Sequence, residues 1–219
     1  MALDWSVIGD NLPFLAAGLR TSVELAAVTV ALSFPLGCLL AVGRISSRRW
    51  LNFPAAVVVH AMRSNPLILI VFWFFFLVPI LTGRPIGDFL SVLVAFVIFF
   101  AAYFAEIVRS GIQSVRRAQL EAAMSTGLTY AQAMRVVVLP QALRSMMPSL
   151  VTQSIIVFQG TTIAYVVGMR ELLHSTFVVA ERTVRPVELY LFAALVYFCV
   201  CFAGSLLARR LERRAASAQ

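Results

Sequence analysis

Arg63 stands inside an apolar block and is followed at once by Ser64, Asn65 and Pro66. An ionisable side chain in a stretch long enough to cross a bilayer is costly there and marks a site of function or of pairing. The proline removes a backbone donor and bends the helix, and the polar groups freed by such a break are satisfied only by protein or water. Residues 63–66 are therefore expected to face the inside of a helix bundle. Glu106 lies at a broadly similar depth in another apolar block. An Arg63–Glu106 ion pair follows as an expectation, with a pair to another subunit or contact with a solute as the alternatives. A third group, Gln153, Gln159, Thr161 and Thr162, sets amides and hydroxyls deep in an apolar stretch, where such groups join helices or line a watery path.

These are side chains for holding a polar solute rather than for breaking its bonds. The chain has no constellation of nucleophile, base and orienting group, and no GxxxxGK[ST] loop to cradle nucleotide phosphates. His60 and His174 are expected near opposite faces of the membrane and so form no common metal or proton site. Cys38, Cys199 and Cys201 fall in apolar runs, where cysteine acts as a small hydrophobe, and no metal ligation follows.

The elements that must position these residues are membrane helices. The 219 residues are 61% hydrophobic and 13% charged, a balance that excludes a soluble enzyme. Five blocks approach the roughly 20 apolar residues a span requires: 22–43, 54–80, 89–108, 148–168 and 188–208. The net charge of +8 comes from arginine, since there is no lysine. Arg44, Arg48 and Arg49 follow the first block, Arg109, Arg116, Arg117, Arg135 and Arg144 the third, and Arg209, Arg210, Arg213 and Arg214 the fifth. Arginine placed between spans reports orientation, not nucleic acid, and it predicts an outer N-terminus and an inner C-terminus. Ahead of the first block, residues 1–21 mix Trp5, Phe14 and Leu15 with Asp4 and Asp10, and read as an outer interfacial segment.

The longest inner loop, about 109–144, has a pattern too regular for a tether. Glu121-Ala122-Ala123 favours helix, Gly127 can stop it in a left-handed turn, and Thr129 with Gln132 fits a capping box for a second helix. Pro140 biases Leu139 away from helical geometry. Two short helices meeting at a glycine are expected, either docking a protein or covering the underside of their own bundle.

The spacing Glu121-Ala122-Ala123, three residues, Gly127, nine residues, Val137, one residue, Leu139-Pro140 resembles the EAA loop of ABC importer permeases, with valine in place of the usual isoleucine. The stretches "RSNPLILIVFWFFFLVP" (63–79) and "AAYFAEIVRSGIQSV" (101–115) are similar to the polar amino acid subfamily, which includes histidine, glutamine, arginine and glutamate permeases. The resemblance covers essentially the whole chain. It implies an all-α type I ABC importer permease fold with five spans over 22–208, a coupling loop at 116–144 and a basic inner tail at 209–219.

It further implies that Glu121, Ala122, Ala123, Gly127, Leu139 and Pro140 form the segment that fits a cytoplasmic ATPase dimer, on which ATP and Mg²⁺ are bound. This chain itself would carry no cofactor and no metal. The other implied partners are a second permease subunit, identical or paralogous, an extracytoplasmic amino-acid-binding protein, the amino acid itself and the lipid of a bacterial inner membrane. Arg63, Asn65, Gln159, Thr161 and Thr162 are the candidate solute path. Many family members carry lysine and aspartate where this chain has Gln159 and Gly160. Gln159 matches the acidic amino acid members, and the chain is most similar to glutamate/aspartate permeases. A cargo of glutamine or a basic amino acid, and a membrane scaffold that moves nothing, are the other expectations.

Overall fold

A computed structural model describes residues 3–84 and 87–216. The described residues are helical almost throughout. In chain order the elements are α1 (Ser6–Ile45), α2 (Arg49–Arg63), α3 (Leu67–Phe72), a π-turn (Trp73–Leu77), α4 (Val78–Thr82), α5 (Asp88–Ser114) and α6 (Arg117–Ser125). There follow α7 (Tyr130–Ala133), a second π-turn (Met134–Val138), α8 (Leu139–Gly160), a 3₁₀ stretch (Thr161–Val167), α9 (Leu172–Thr183) and α10 (Pro186–Ala216). Four helical runs are long and apolar enough to cross a membrane, and α2 with the helix Leu67–Thr82 makes a fifth if that bent pair is one span.

The first run departs from its expected limits. α1 is one unbroken helix of 40 residues, about 60 Å long at 1.5 Å per residue, so the division at residue 21 falls inside it. Polar and charged residues at its start do not end a helix whose backbone bonds are all internal.

The second block breaks where Ser64, Asn65 and Pro66 stand, and its two halves are bent by 104°. Ser64 closes α2 by donating its amide to the His60 carbonyl, and Pro66 is extended at ψ 137° ahead of α3. Pro140, by contrast, does not end a helix. Leu139 is helical at φ −61° and ψ −40°, and α7, the π-turn, α8 and the 3₁₀ stretch form one run from Tyr130 to Val167. The second short helix expected in the loop is thus the start of a span. The loop between the last two spans contains a further helix, α9, that no hydrophobic block marks. The tail expected at 209–219 begins as the end of α10, and 217–219 lie outside the described residues.

Close approaches fix how the helices run. A Cβ on Gly37 of α1 would lie 2.7 Å from Phe104 Cβ and 2.9 Å from the Ala101 carbonyl of α5. Near the same end Arg44 reaches Glu106, while Leu25 and Val92 share a core farther along. α1 and α5 are therefore parallel. α2 doubles back along α1, since a Cβ on Gly43 would lie 3.1 Å from Ala55 Cβ, and Val59 packs with Ala41. α8 opposes α5, with Gly111 against Met146 and Gly160 against Phe100. The core between these helices is aromatic, with Phe96, Phe99, Phe100 and Phe104 buried on α5. This packing brings one end of α1, α2, α5 and α8 around one polar centre.

Candidate solute cavity and docking segment

Parallel packing of α1 and α5, with α2 folded back against both, delivers three arginines to one carboxylate. Arg44 hydrogen-bonds Glu106 Oε2, Arg109 hydrogen-bonds Glu106 Oε1, and Arg63 Nη1 lies 3.6 Å from Glu106 Oε2. The expected Arg63–Glu106 pair is present as its weakest member. Arg44 and Arg109 join it although each stands at the end of a block and reads, in the sequence, as a marker of orientation. Three guanidinium groups against one carboxylate leave two positive charges, and Arg63 is the most exposed of the three. Its guanidinium also lies 5.6 Å from the centre of the Tyr103 ring, within range of a cation–π contact.

A cavity of about 370 Å³, open on one side, is lined by Arg63, Tyr103 and Glu106 together with Ser110 of α5 and Ser149 and Gln153 of α8. Gln153 is buried and its Nε2 has no acceptor among the described residues. A buried amide donor without a partner costs free energy unless a ligand or water takes it. The cavity thus offers the Arg63 guanidinium, serine hydroxyls and the free Gln153 amide NH2, beside a cluster whose arginines outnumber its one carboxylate by two, a set that suits a small polar molecule with a carboxylate.

The other expected path residues are not gathered there. Asn65, in the break after α2, donates back to the Ala61 carbonyl of that helix. The Thr161 and Thr162 hydroxyls donate to the Phe158 and Gln159 carbonyls, 2.7 and 2.8 Å away, where α8 tightens into the 3₁₀ stretch. Gln159 turns toward Cys201 on α10. Of Arg63, Asn65, Gln159, Thr161 and Thr162, only Arg63 lines the cavity. Gln153, six residues earlier than Gln159, takes that place because residues 145, 149 and 153 repeat every four positions and share the face toward α5.

Toward the opposite end lies a buried acid that no motif or spacing marks. Glu171 is fully buried and caps α9, accepting from the His174 and Leu173 amides at 2.6 and 2.9 Å. It also accepts from the Tyr197 hydroxyl of α10 at 3.1 Å and the Ser22 hydroxyl of α1 at 3.3 Å. Burial pushes its carboxyl above the usual carboxylate range, and these four donors pull it back. Ser22 in turn accepts the Leu172 amide. One carboxylate thereby ties α1, α9 and α10 together.

The candidate docking segment leaves the bundle at Ser114. α6 ends at Ser125, the chain turns at Gly127, whose φ of 93° is left-handed, and Thr129 caps the next helix in a full capping box with Gln132. Both features match expectation. Glu121, exposed, pairs with Arg117 at 3.1 Å. Met124, Tyr130, Val136, Leu139 and Leu143 are exposed apolar residues along this segment, and Ala123 is buried beneath it. The first five form a surface of the kind a protein partner covers.

Residues 33–217 match the family of binding-protein-dependent transport system inner membrane components. Over 220 residues the chain is 39% identical to the glutamate/aspartate import permease protein GltK of Escherichia coli O6:H1, covering 97% of this chain and 98% of that one. It is 36% identical over 208 residues to a probable glutamine ABC transporter permease protein, GlnP, of Bacillus subtilis, covering 94% and 95%. Among solved structures, an amino acid ABC transporter crystallised with histidines superposes with a TM-score of 0.91 at 30% identity, over 98% of this chain and all of that one. The MetNI methionine ABC transporter shares the fold at a TM-score of 0.73 and 21% identity, over 92% of this chain and 98% of that one.

Proposed function

The chain belongs to the binding-protein-dependent transport system inner membrane components and is the permease subunit of an amino acid ABC importer; from that premise we propose that its cargo is glutamate and aspartate. The observation that carries the proposal is the surplus of two positive charges around Glu106, with Arg63 exposed to the cavity. An anionic amino acid gains there from charge-assisted hydrogen bonds, whereas a cationic side chain meets repulsion. Similarity to GltK at 39% identity supports the same cargo. A glutamine cargo is the second reading, favoured by the 36% identity to the probable glutamine permease.

In this reading ATP and Mg²⁺ are held by a pair of separate ATPase subunits. The segment with Glu121, Ala122, Ala123, Gly127, Leu139 and Pro140 docks one of them. A second permease subunit, identical or paralogous, completes the path, and an extracytoplasmic amino-acid-binding protein delivers the solute. Arg63 and Gln153 contact it in transit. Proteoliposomes holding the whole importer are expected to take up labelled glutamate at least about tenfold faster than arginine, a difference of about 1.4 kcal/mol in barrier. Uptake of glutamine or arginine without glutamate would end the acidic-cargo reading and leave the importer standing.

The orientation that fits has the N-terminus outside and the docking segment and C-terminus inside. An impermeant thiol reagent on whole cells is expected to label a cysteine placed at residue 4, and to reach one at residue 216 only after lysis. The reverse pattern would contradict it.

A further inference from the structure

We propose that Pro140 is a positioning residue that sets the rotational phase of the docking segment on α8 through the widened turn Met134–Val138. The inference rests on the reading of this segment as the ATPase dock. In this turn the Leu139 amide donates to the Met134 carbonyl, five residues back instead of four. The next residue is Pro140, which has no N–H and whose ring would press on the carbonyl of Val136 in a regular turn. The same arrangement occurs once more, where the Val78 amide donates to the Trp73 carbonyl immediately before Pro79. Proline alone does not force it, because Pro35 and Pro148 sit in regular α-helix.

What distinguishes the 134–138 turn is the buried face that runs through it. Ala133, Val138, Ala142 and Met146 are all buried, at spacings of five, four and four residues. In an unbroken α-helix, at about 100° per residue, Ala133 and Val138 would point about 140° apart. The extra residue of a π-turn brings them onto one side. The widened turn therefore adds one residue without rotating what lies before it. Closing it to an ordinary α-turn would roll α7, and with it Gly127 and α6, by roughly 100° about the axis of α8. Tyr130 and Val136, both exposed, would then present a different face to the ATPase.

The test uses the full importer in proteoliposomes and reads solute carried per ATP hydrolysed, with copurified ATPase as a second measurement. Pro140→Ala removes the ring that opposes the α-turn, and is expected to lower the transport-to-hydrolysis ratio by roughly tenfold, the size of a typical coupling between sites. Deleting Arg135, which lies in the same turn and outside the apolar docking surface, in the Pro140→Ala background gives spacings of four throughout, and is expected to restore the ratio. Pro148→Ala, with no widened turn to lose, is expected to keep it. A normal ratio in Pro140→Ala, or no recovery in the deletion variant, overturns the proposal. If Pro140→Ala does not accumulate in the membrane, the deletion variant decides alone: normal coupling supports the proposal and its loss overturns it. If Pro140→Ala is normal while Gly127→Val is uncoupled, only the phase assignment falls. If both are normal, the docking reading falls with it.

Discussion

A Gly127→Val permease is expected to insert in the membrane and yet lose ATP-driven uptake by at least about tenfold, on the scale of a full coupling free energy. The cause is the backbone alone. A Cβ at Gly127 would meet no atom within 4 Å, so no neighbour resists the new side chain. Its φ of 93° lies where a β-branched residue is a genuine outlier, and left-handed geometry costs an L-residue about 1–2 kcal/mol or more. The strain is relieved by rotating residues 126–128, which swings α6 away from the Thr129 cap and displaces Glu121. Gly127→Asn, a residue that tolerates positive φ, should keep most activity. Uptake at the normal rate by the valine variant, with ATPase still copurifying, would sink the docking assignment.

Glu171→Ala is expected to destabilise the subunit by about 3–5 kcal/mol. It strands the Leu173 and His174 amides, the Tyr197 hydroxyl and the Ser22 hydroxyl, and removes the N-cap of α9, itself worth about 1 kcal/mol. A lower midpoint of thermal unfolding in detergent checks it. Glu171→Gln should recover part of the loss, because its amide keeps one accepting oxygen but aims N–H groups at donors. The pH dependence is a second readout. Burial raises the folded value of this carboxyl, so the stability it contributes is complete below the ordinary carboxylate range and is lost as pH rises through the raised value. Glu171→Ala should flatten that part of the profile. An unchanged midpoint would mean that α1, α9 and α10 are held by other contacts.

Legibility in the sequence follows the range of the forces involved. Local rules locate Gly127, the Thr129–Gln132 box and the break at Ser64–Pro66, because backbone propensity and capping act within a few residues. Arg63 and Glu106 are visible as charges out of place. Arg44 and Arg109 are not visible as their partners. The parallel packing of α1 on α5 is what joins Arg44 to Glu106, 62 residues away along the chain. Glu171 looks like one of several acids in the loop between the last two spans. Only the fold shows that four donors converge on it. Pro140 reads as a boundary because the usual rule weighs the lost hydrogen bond and the clash but not a widened turn that accommodates both. Gln159 and Gln153 are alike in type, and the face each presents depends on where α8 meets α5.

The parallel run of α1 and α5 has a consequence for how the chain is made. Antiparallel neighbours can close as a hairpin while the ribosome is still working, but parallel ones cannot pair until the connection between them has been threaded. Here that connection is residues 46–87, including the sharp bend at Ser64–Pro66. The most extensive contact in the subunit is between α1 and α5, so it forms late in synthesis and at long sequence separation, the slow kind of contact. Until α5 arrives, the stripe of Thr29, Ser33, Gly37 and Ala41 on α1 must wait in lipid without its partner. The nascent chain is therefore most vulnerable to quality-control proteolysis between the insertion of its first helix and that of α5.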